Sequence, residues 1–451
     1  MNESVANLTE GHVIKTLLRF TLPFFLATLL QTLYGIVDMM VVGQFADSSA
    51  MSAVSIGGLV FAGVTTVIVG LTTGGTVLIG QFLGAGSRPD ARDTAATMFT
   101  LYALVALGLT AAVIVLGAPF LRLLNTPAEA YPQAVTYVRI CSIGLIFICG
   151  FNAIAAVLRG DGDSKHPLYF VMVACAVNIV GDLVLVGGLK LGAAGAAIAT
   201  VLGQIVSFLS GVWFMRRSES LFDFSPKGFR IHKGKPAKLL KLGIPIALQD
   251  FLVMISFFIL ESVINRLGVV ASAAGGVADK LFMIGVLPSS AFSASIAAMV
   301  AQNMGAGKIE RASASLRVGA LISFVVGVLV FFWLEFAPTS AVRIFTQDRD
   351  VILTANDYLR SYAYEYLLCS VIFPLNGLIN GSGHTRFTLI NNLTSTFVVR
   401  VPLIYLFYYL IENARLFHIG IALPIASAVQ LLCAGIYFFS GKWKKNVVLD
   451  N

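Results

Sequence analysis

Apolar residues run along this chain in twelve long blocks, at roughly 16–43, 53–83, 94–117, 135–158, 167–187, 192–215, 239–265, 272–303, 315–337, 353–380, 387–410 and 419–440. Each block supplies the about 20 apolar residues that a helix needs to cross a bilayer. The pattern predicts an all-α polytopic membrane protein with twelve transmembrane helices. Composition agrees: 57% of residues are hydrophobic and 12% are charged, where a soluble domain carries about 25% charged residues. Glu3 and Glu10 precede a first apolar run long enough to stay as a span, so no cleaved leader is expected.

The blocks repeat. Residues 80–92 read GQFLGAGSRPDAR and residues 301–313 read AQNMGAGKIERAS. Gln81, Gly84 and Gly86 pair with Gln302, Gly305 and Gly307 at a spacing of 221, as do Gly160 and Gly162 with Gly381 and Gly383. Pro23 pairs with Pro245 at a spacing of 222. The reading is of two pseudo-symmetric six-helix halves, 1–215 and 239–451, joined by a basic linker at 216–238. Six spans is an even number, so the halves enter the membrane the same way round and their pseudo-twofold axis runs along the membrane normal. Duplicated apolar halves suggest a transporter that rocks one half against the other around a central site.

Charge adds orientation. With the N-terminus inside, twenty-one of the 31 Lys and Arg residues fall on inside segments and eight on outside segments or span ends. This bias predicts both termini in the cytoplasm of a prokaryotic inner or plasma membrane. The linker, MRRSES through HKGKPAK, is the longest hydrophilic stretch and is expected to lie against anionic lipid. The net charge of +8 therefore reads as topology, and no nucleic-acid partner is expected. No G-x-x-x-x-G-K-[ST] loop is present, which argues against nucleotide-driven pumping within this chain. All five histidines fall in loops or near span ends, which removes a mid-membrane histidine relay. Cys141, Cys149, Cys175, Cys369 and Cys433 lie in apolar stretches without metal or disulfide spacing and read as small reduced core residues. No enzymatic constellation or cofactor motif is found.

Ionisable groups inside spans are costly and are functional candidates by default. They are Asp38, Asp182, Asp250, Glu261, Asp279, Lys280, Glu365 and Arg400. Asp38 sits mid-block in LYGIVDMMVVGQF, and Asp182 sits in VNIVGDLVLVGG, four residues after Asn178 and so on the same helix face. Thr200 and Gln204 fall in the middle of the sixth block. Two carboxylates with amide and hydroxyl oxygens suit a proton or a hard cation such as Na+, because two acids in low dielectric cannot both ionise cheaply. The alternative is a static buried hydrogen-bond network that ties helices together. Glu261 has Arg266 five residues on, so an interfacial ion pair competes with a transport role. Lys280 is a candidate to neutralise a carboxylate across the cavity, and Arg400 is expected to pair with an acid or reach a membrane surface. Tyr34, Met39, Met254, Phe257, Phe282, Met283 and Phe292 are candidate lining for a lipophilic substrate cavity, with packing or lipid contact as the plainer role of each.

With these residues in view, the chain resembles the multidrug and toxic compound extrusion family over essentially its whole length. The resemblance rests on VDMMVVGQFA at 37–46, the Q-x-x-G-A-G turns, and the Gly-rich turns LRGDGDSKHP and INGSGHTR. It is most similar to the bacterial and archaeal branch with a segment-1 aspartate. That resemblance implies a cation site at Asp38, Asn178, Asp182 and Thr200, with Asn152 as a further ligand. Another branch uses an acid pair in the C-terminal half; Glu261 and Glu365 are the candidates for it here, but their local motifs match that branch poorly and the site is not carried over. The implied function is antiport, in which H+ or Na+ enters and an organic cation or amphiphilic drug leaves, by a protein expected to be a monomer. A lipid-linked-substrate flippase of the wider superfamily and a lipid-modifying membrane enzyme are the competing classes. The first would carry more charge in its cavity, and the second needs a nucleophile or metal set near the surface.

Overall fold

The computed structural model describes residues 7–218, 220–222, 224–225, 227–411 and 415–449. Regular structure among the described residues is helical, and twelve helices are long and apolar enough to span a membrane. In chain order these are span 1 (Val13–Phe45), span 2 (Ser48–Gly84), span 3 (Arg88–Leu123), span 4 (Tyr131–Asp161), span 5 (Lys165–Gly188), span 6 (Gly192–Arg217), span 7 (Lys235–Asn265), span 8 (Val269–Gly305), span 9 (Ile309–Phe336), span 10 (Arg349–Gly381), span 11 (Thr385–Leu410) and span 12 (Leu416–Phe439). Nearly every helix outruns its apolar block, because polar residues beyond the block extend or cap the helix. Asp47 accepts the Ala50 N–H at 2.7 Å to start span 2. Asp348 accepts the Asp350 and Val351 N–H groups to start span 10. Such caps satisfy amide groups that a helix end leaves unpaired.

The chain forms two compact units. The first is Leu22–Ala247; the second joins Asn7–Thr21 to the described residues from Leu248 onward. Spans 1 and 7 therefore each contribute to both units.

In the first unit span 4 is the central helix, 67% buried along its apolar stretch, and spans 2, 3 and 6 pack around it. Thr76 donates to the Ala156 carbonyl at 3.2 Å and Thr110 to the Ser142 carbonyl at 3.0 Å, tying spans 2 and 3 to span 4. Interhelical bonds of this kind, with small residues that let backbones approach, hold helices together where lipid removes the hydrophobic drive. A Cβ on Gly70 would lie 2.3 Å from Ala247 Cα, so span 2 and the start of span 7 meet backbone to backbone. The linker is built into this unit: Phe222 stacks on Phe99 at 4.3 Å, the His232 N–H donates to Thr97 at 3.0 Å, and Lys235 bridges to Asp90 at 2.6 Å.

In the second unit span 10 is central, 72% buried, and spans 8, 9 and 12 pack around it. Ser323 donates to Ser289 at 3.0 Å between spans 9 and 8. Ser395 donates to the Ala426 carbonyl at 2.8 Å between spans 11 and 12. The chain ahead of span 1 is pinned to the turn after span 8: the Leu8 carbonyl accepts from Asn303 at 3.1 Å and from Arg311 at 3.2 Å. Arg311 also donates to the Gly11 and Glu10 carbonyls. Spans 3 and 9 are little buried, and residues such as Leu107, Val115, Leu116, Leu321 and Leu329 turn apolar side chains outward, as lipid contact requires. All five cysteines are free; four are buried and Cys433 is half-buried.

Candidate functional site

In the first unit, spans 1, 5 and 6 bring the sequence-identified polar residues together. Span 5 is α-helical to Asp182 and then widens into a π-helical stretch, Leu183–Gly188. A π stretch shifts the register of the side chains that follow and is frequent at functional sites. Asn178 and Asp182 share one face of the α-helical part and are 3% and 0% exposed. Span 6 can approach that face because Gly203 has no side chain. A Cβ there would lie 3.0 Å from the Ala174 carbonyl oxygen and 3.3 Å from Asn178 Cβ. The result is a small cavity of about 20 Å³, room for about one water, lined by Tyr34, Cys175, Asn178, Thr200, Gln204 and Ser207 among others.

Asp38, one turn beyond Tyr34 on span 1, is buried, and its carboxyl is within hydrogen-bonding reach of Asp182. As carboxylates the two have no hydrogen to share. Asp38 Oδ1 and both Asp182 oxygens accordingly have no hydrogen-bond partner among the described residues, and neither polar atom of the Asn178 amide has one. Five orphaned polar atoms in one buried cluster are far from the usual state of a protein interior, where an unmet group costs about 1–3 kcal/mol. A proton on either carboxyl converts repulsion into a hydrogen bond, and a hard cation would be met by oxygens from all three side chains. The donor set fits both. Among the described residues there is no cluster of three or more His, Cys, Asp or Glu of the kind that holds a transition metal.

Thr200 is half-buried and lines this cavity. The Asn152 amide donates to the Ile148 carbonyl of its own helix at 2.9 Å. Met39 packs against the apolar core of the first unit.

The second unit holds a different constellation. Glu365 on span 10 is 2% exposed, and its Oε1 accepts from Ser427 Oγ at 2.7 Å and Cys369 Sγ at 3.5 Å. Arg400 Nη2 lies 3.8 Å from the same oxygen, a buried ion pair. The guanidinium also donates to Ser256 Oγ at 3.4 Å and stands 5.4 Å from the centroid of the Phe257 ring. Arg400 closes a second π-helical stretch, Thr394–Arg400, inside span 11. So Arg400 does pair with an acid, and that acid is Glu365. Asp250 accepts from its neighbour Gln249 at 3.3 Å. Glu261 is exposed, and among the described residues no ion pair links it to Arg266. Lys280 is exposed too, with its amine 6.0 Å from the centroid of Phe345 rather than against a carboxylate.

Of the apolar lining candidates in this unit, Phe257 and Phe282 are 6.0 Å apart, and Phe282 lies 5.0 Å from Tyr362 and 5.5 Å from Tyr366. Phe292 is buried, Met254 half-buried and Met283 exposed. Tyr358, Tyr362 and Tyr366 escaped the sequence reading. Their hydroxyls are buried without hydrogen-bond partners among the described residues. They share span 10 with Glu365, and the signal was present in their spacing of four along one helix face.

Known proteins match this chain along its length. The MatE family profile matches residues 23–184 and again 245–406. A probable multidrug resistance protein of Bacillus subtilis, YpnP, is 31% identical over 97% of both chains. The probable multidrug resistance protein NorM of Thermotoga maritima is 26% identical over 96% of this chain and 94% of its own. Among solved structures, a MATE in complex with MaD3S superposes with a TM-score of 0.90 over all of both chains at 22% identity. By sequence and by its twelve-span fold, the chain belongs to the MatE family of membrane transporters, the multidrug and toxic compound extrusion proteins.

Proposed function

We propose that this protein is a secondary antiporter that exports organic cations or amphiphilic drugs by alternating access, in exchange for H+ or Na+ bound at Asp38, Asn178 and Asp182. The observation that carries the reading is the set of five orphaned polar atoms where Asp38 and Asp182 face each other beside Asn178. A site that binds an exchangeable proton or sodium ion explains why such a cluster persists. Thr200 supplies a hydroxyl on the adjoining cavity wall. The names of the relatives, multidrug resistance and export proteins, support the substrate class. The Lys and Arg distribution supports a plasma-membrane orientation with both termini in the cytoplasm.

Coupling follows from charge. With no ion bound, the two carboxylates repel across the buried contact between spans 1 and 5; with an ion bound they are drawn together. The ion biases the transporter toward one facing only by the difference in its affinity for the two facings. A cationic drug and the coupling ion then compete by charge, directly or through that equilibrium.

The test is gradient-driven movement of a fluorescent lipophilic cation into liposomes that hold purified protein, under separate proton and sodium gradients. Wild type is expected to respond to one of the two gradients, and Asp38→Asn to neither while still binding the dye. Unchanged transport by Asp38→Asn sinks this site.

A further inference from the structure

The halves are repeats, so the position in the second half that corresponds to the ion site can be located. The two stretches matched by the family profile start 222 residues apart and end 222 residues apart, and the glycine turns give 221. Asp38 therefore corresponds to Ile259 or Leu260, and Asp182 to Leu403 or Ile404. All four are apolar, and Leu260 and Ile404 are buried. Asn178 corresponds to Val399 or Arg400. At the spacing of 222 that the profile gives, the second half places a guanidinium where the first places an amide beside two carboxyls. It draws its single acid, Glu365, from span 10.

We infer that Arg400 is a built-in cation. It holds the second half in the ion-loaded condition permanently, so that Glu365 takes up no exchangeable proton or sodium and ion exchange is confined to the first half. An arginine side chain stays protonated in a protein and cannot leave its helix. Its Nη2 faces Glu365, its Nη1 is held by Ser256, and its guanidinium carbon stands over the Phe257 ring. Ser427 and Cys369 donate to the same carboxylate oxygen, and Glu365 Oε2 and Arg400 Nε have no hydrogen-bond partner among the described residues. Every one of these partners belongs to the second unit, so the pair is a property of that unit alone. Arg400 is thus a positioning residue: it sets how many ions the transporter carries without touching the ion that moves.

This inference rests on the antiport reading, and the experiment separates the two. Full-length protein in detergent is titrated with tetraphenylphosphonium while released protons are counted with a pH indicator, and bound sodium is counted with the radioactive ion. Wild type is expected to exchange one ion equivalent per protein. Arg400→Gln frees Glu365 and should raise the count to two. Arg400→Gln combined with Glu365→Gln removes both charges and should restore one equivalent with transport retained. A count that stays at one in Arg400→Gln overturns the inference, as does loss of the wild-type equivalent in the double variant. If Arg400→Gln does not fold in detergent, Arg400→Met, which keeps the bulk of the arginine stem and removes its charge, takes its place in the count, with two equivalents expected and one overturning the inference. The Asp38→Asn variant in the same titration reads the other claim. Retention of the full equivalent there defeats the antiport site whatever the Arg400 variants do.

Discussion

The two halves share a frame and differ in charge. Both wrap a buried central helix, span 4 in one and span 10 in the other, and both interrupt the fifth helix of the repeat with a π-helical stretch. In the first half that stretch begins directly after Asp182; in the second it ends on Arg400. Yet the first half buries two facing acids with no basic side chain paired to them among the described residues, whereas the second buries an acid already matched to an arginine. The two clusters differ in charge balance: the first buries two acids and no base, whereas the second buries one acid and one base, even though Glu365 Oε2 and Arg400 Nε have no hydrogen-bond partner among the described residues. At the repeat spacing the two π stretches fall at different positions of the fifth helix, so the shared frame carries both a different local geometry and a different charge.

The sharpest way to break this contrast is to neutralise the first cluster. Asp38→Asn and Asp182→Asn are each expected to bring gradient-driven dye movement down to the level of empty liposomes, with thermal unfolding in detergent little changed. Neither substitution removes an existing hydrogen bond from Asp38 Oδ1 or the Asp182 oxygens. A large fall in Tm for either would mean that the carboxyls are structural, as a static network requires. The second cluster should behave the opposite way. Arg400→Gln leaves a buried carboxylate without its partner, and breaking such a pair costs about 3–5 kcal/mol. Its Tm should fall well below wild type, and adding Glu365→Gln should recover most of the loss. A double variant no more stable than the single one would show that the 3.8 Å approach of the two groups carries little interaction.

Much of this contrast was legible in the sequence. Twelve apolar blocks give twelve helices, and the glycine and proline matches reveal the repeat. Asn178 and Asp182 share a helix face because α-helical geometry places residues four apart together. The meeting of Asp38 with Asp182 was not readable from spacing, because they lie on spans 1 and 5 and only tertiary packing joins them. The pairing of Arg400 with Glu365 was hidden for the same reason; burial logic demanded an acid but could not choose among Asp250, Asp279, Glu261 and Glu365. The π-helical stretches left no compositional trace, since LVLVGG and TSTFVVR read as ordinary apolar helix. The exchange of the ends of spans 1 and 7 between units was equally invisible, being a matter of which neighbours the helix ends find.

A milder intervention asks whether the cavity beside Asn178 matters as space or only as packing. Gly203→Ala puts a methyl group where the Ala174 carbonyl oxygen is 3.0 Å away and Asn178 Cβ 3.3 Å away. The neighbours must give by a few tenths of an ångström, and overpacking of this order costs about 1–3 kcal/mol. If the Asn178 amide is a ligand, that displacement should weaken ion affinity by about tenfold, the factor that about 1.4 kcal/mol represents, with transport at saturating ion nearly intact. An unchanged ion affinity would remove Asn178 from the ligand set and leave the two carboxyls to act alone. The smallest effect expected is that of Lys308→Gln. Its amine donates to the Thr9 carbonyl at 2.9 Å, in an exposed position, and a bond so placed contributes about 1 kcal/mol or less. Arg311, which holds the Leu8, Glu10 and Gly11 carbonyls together, keeps the start of span 1 anchored without it. Dye transport by Lys308→Gln should therefore match wild type. A marked loss would mean that the N-terminal end of span 1, and not the buried carboxyls farther along it, sets the rate.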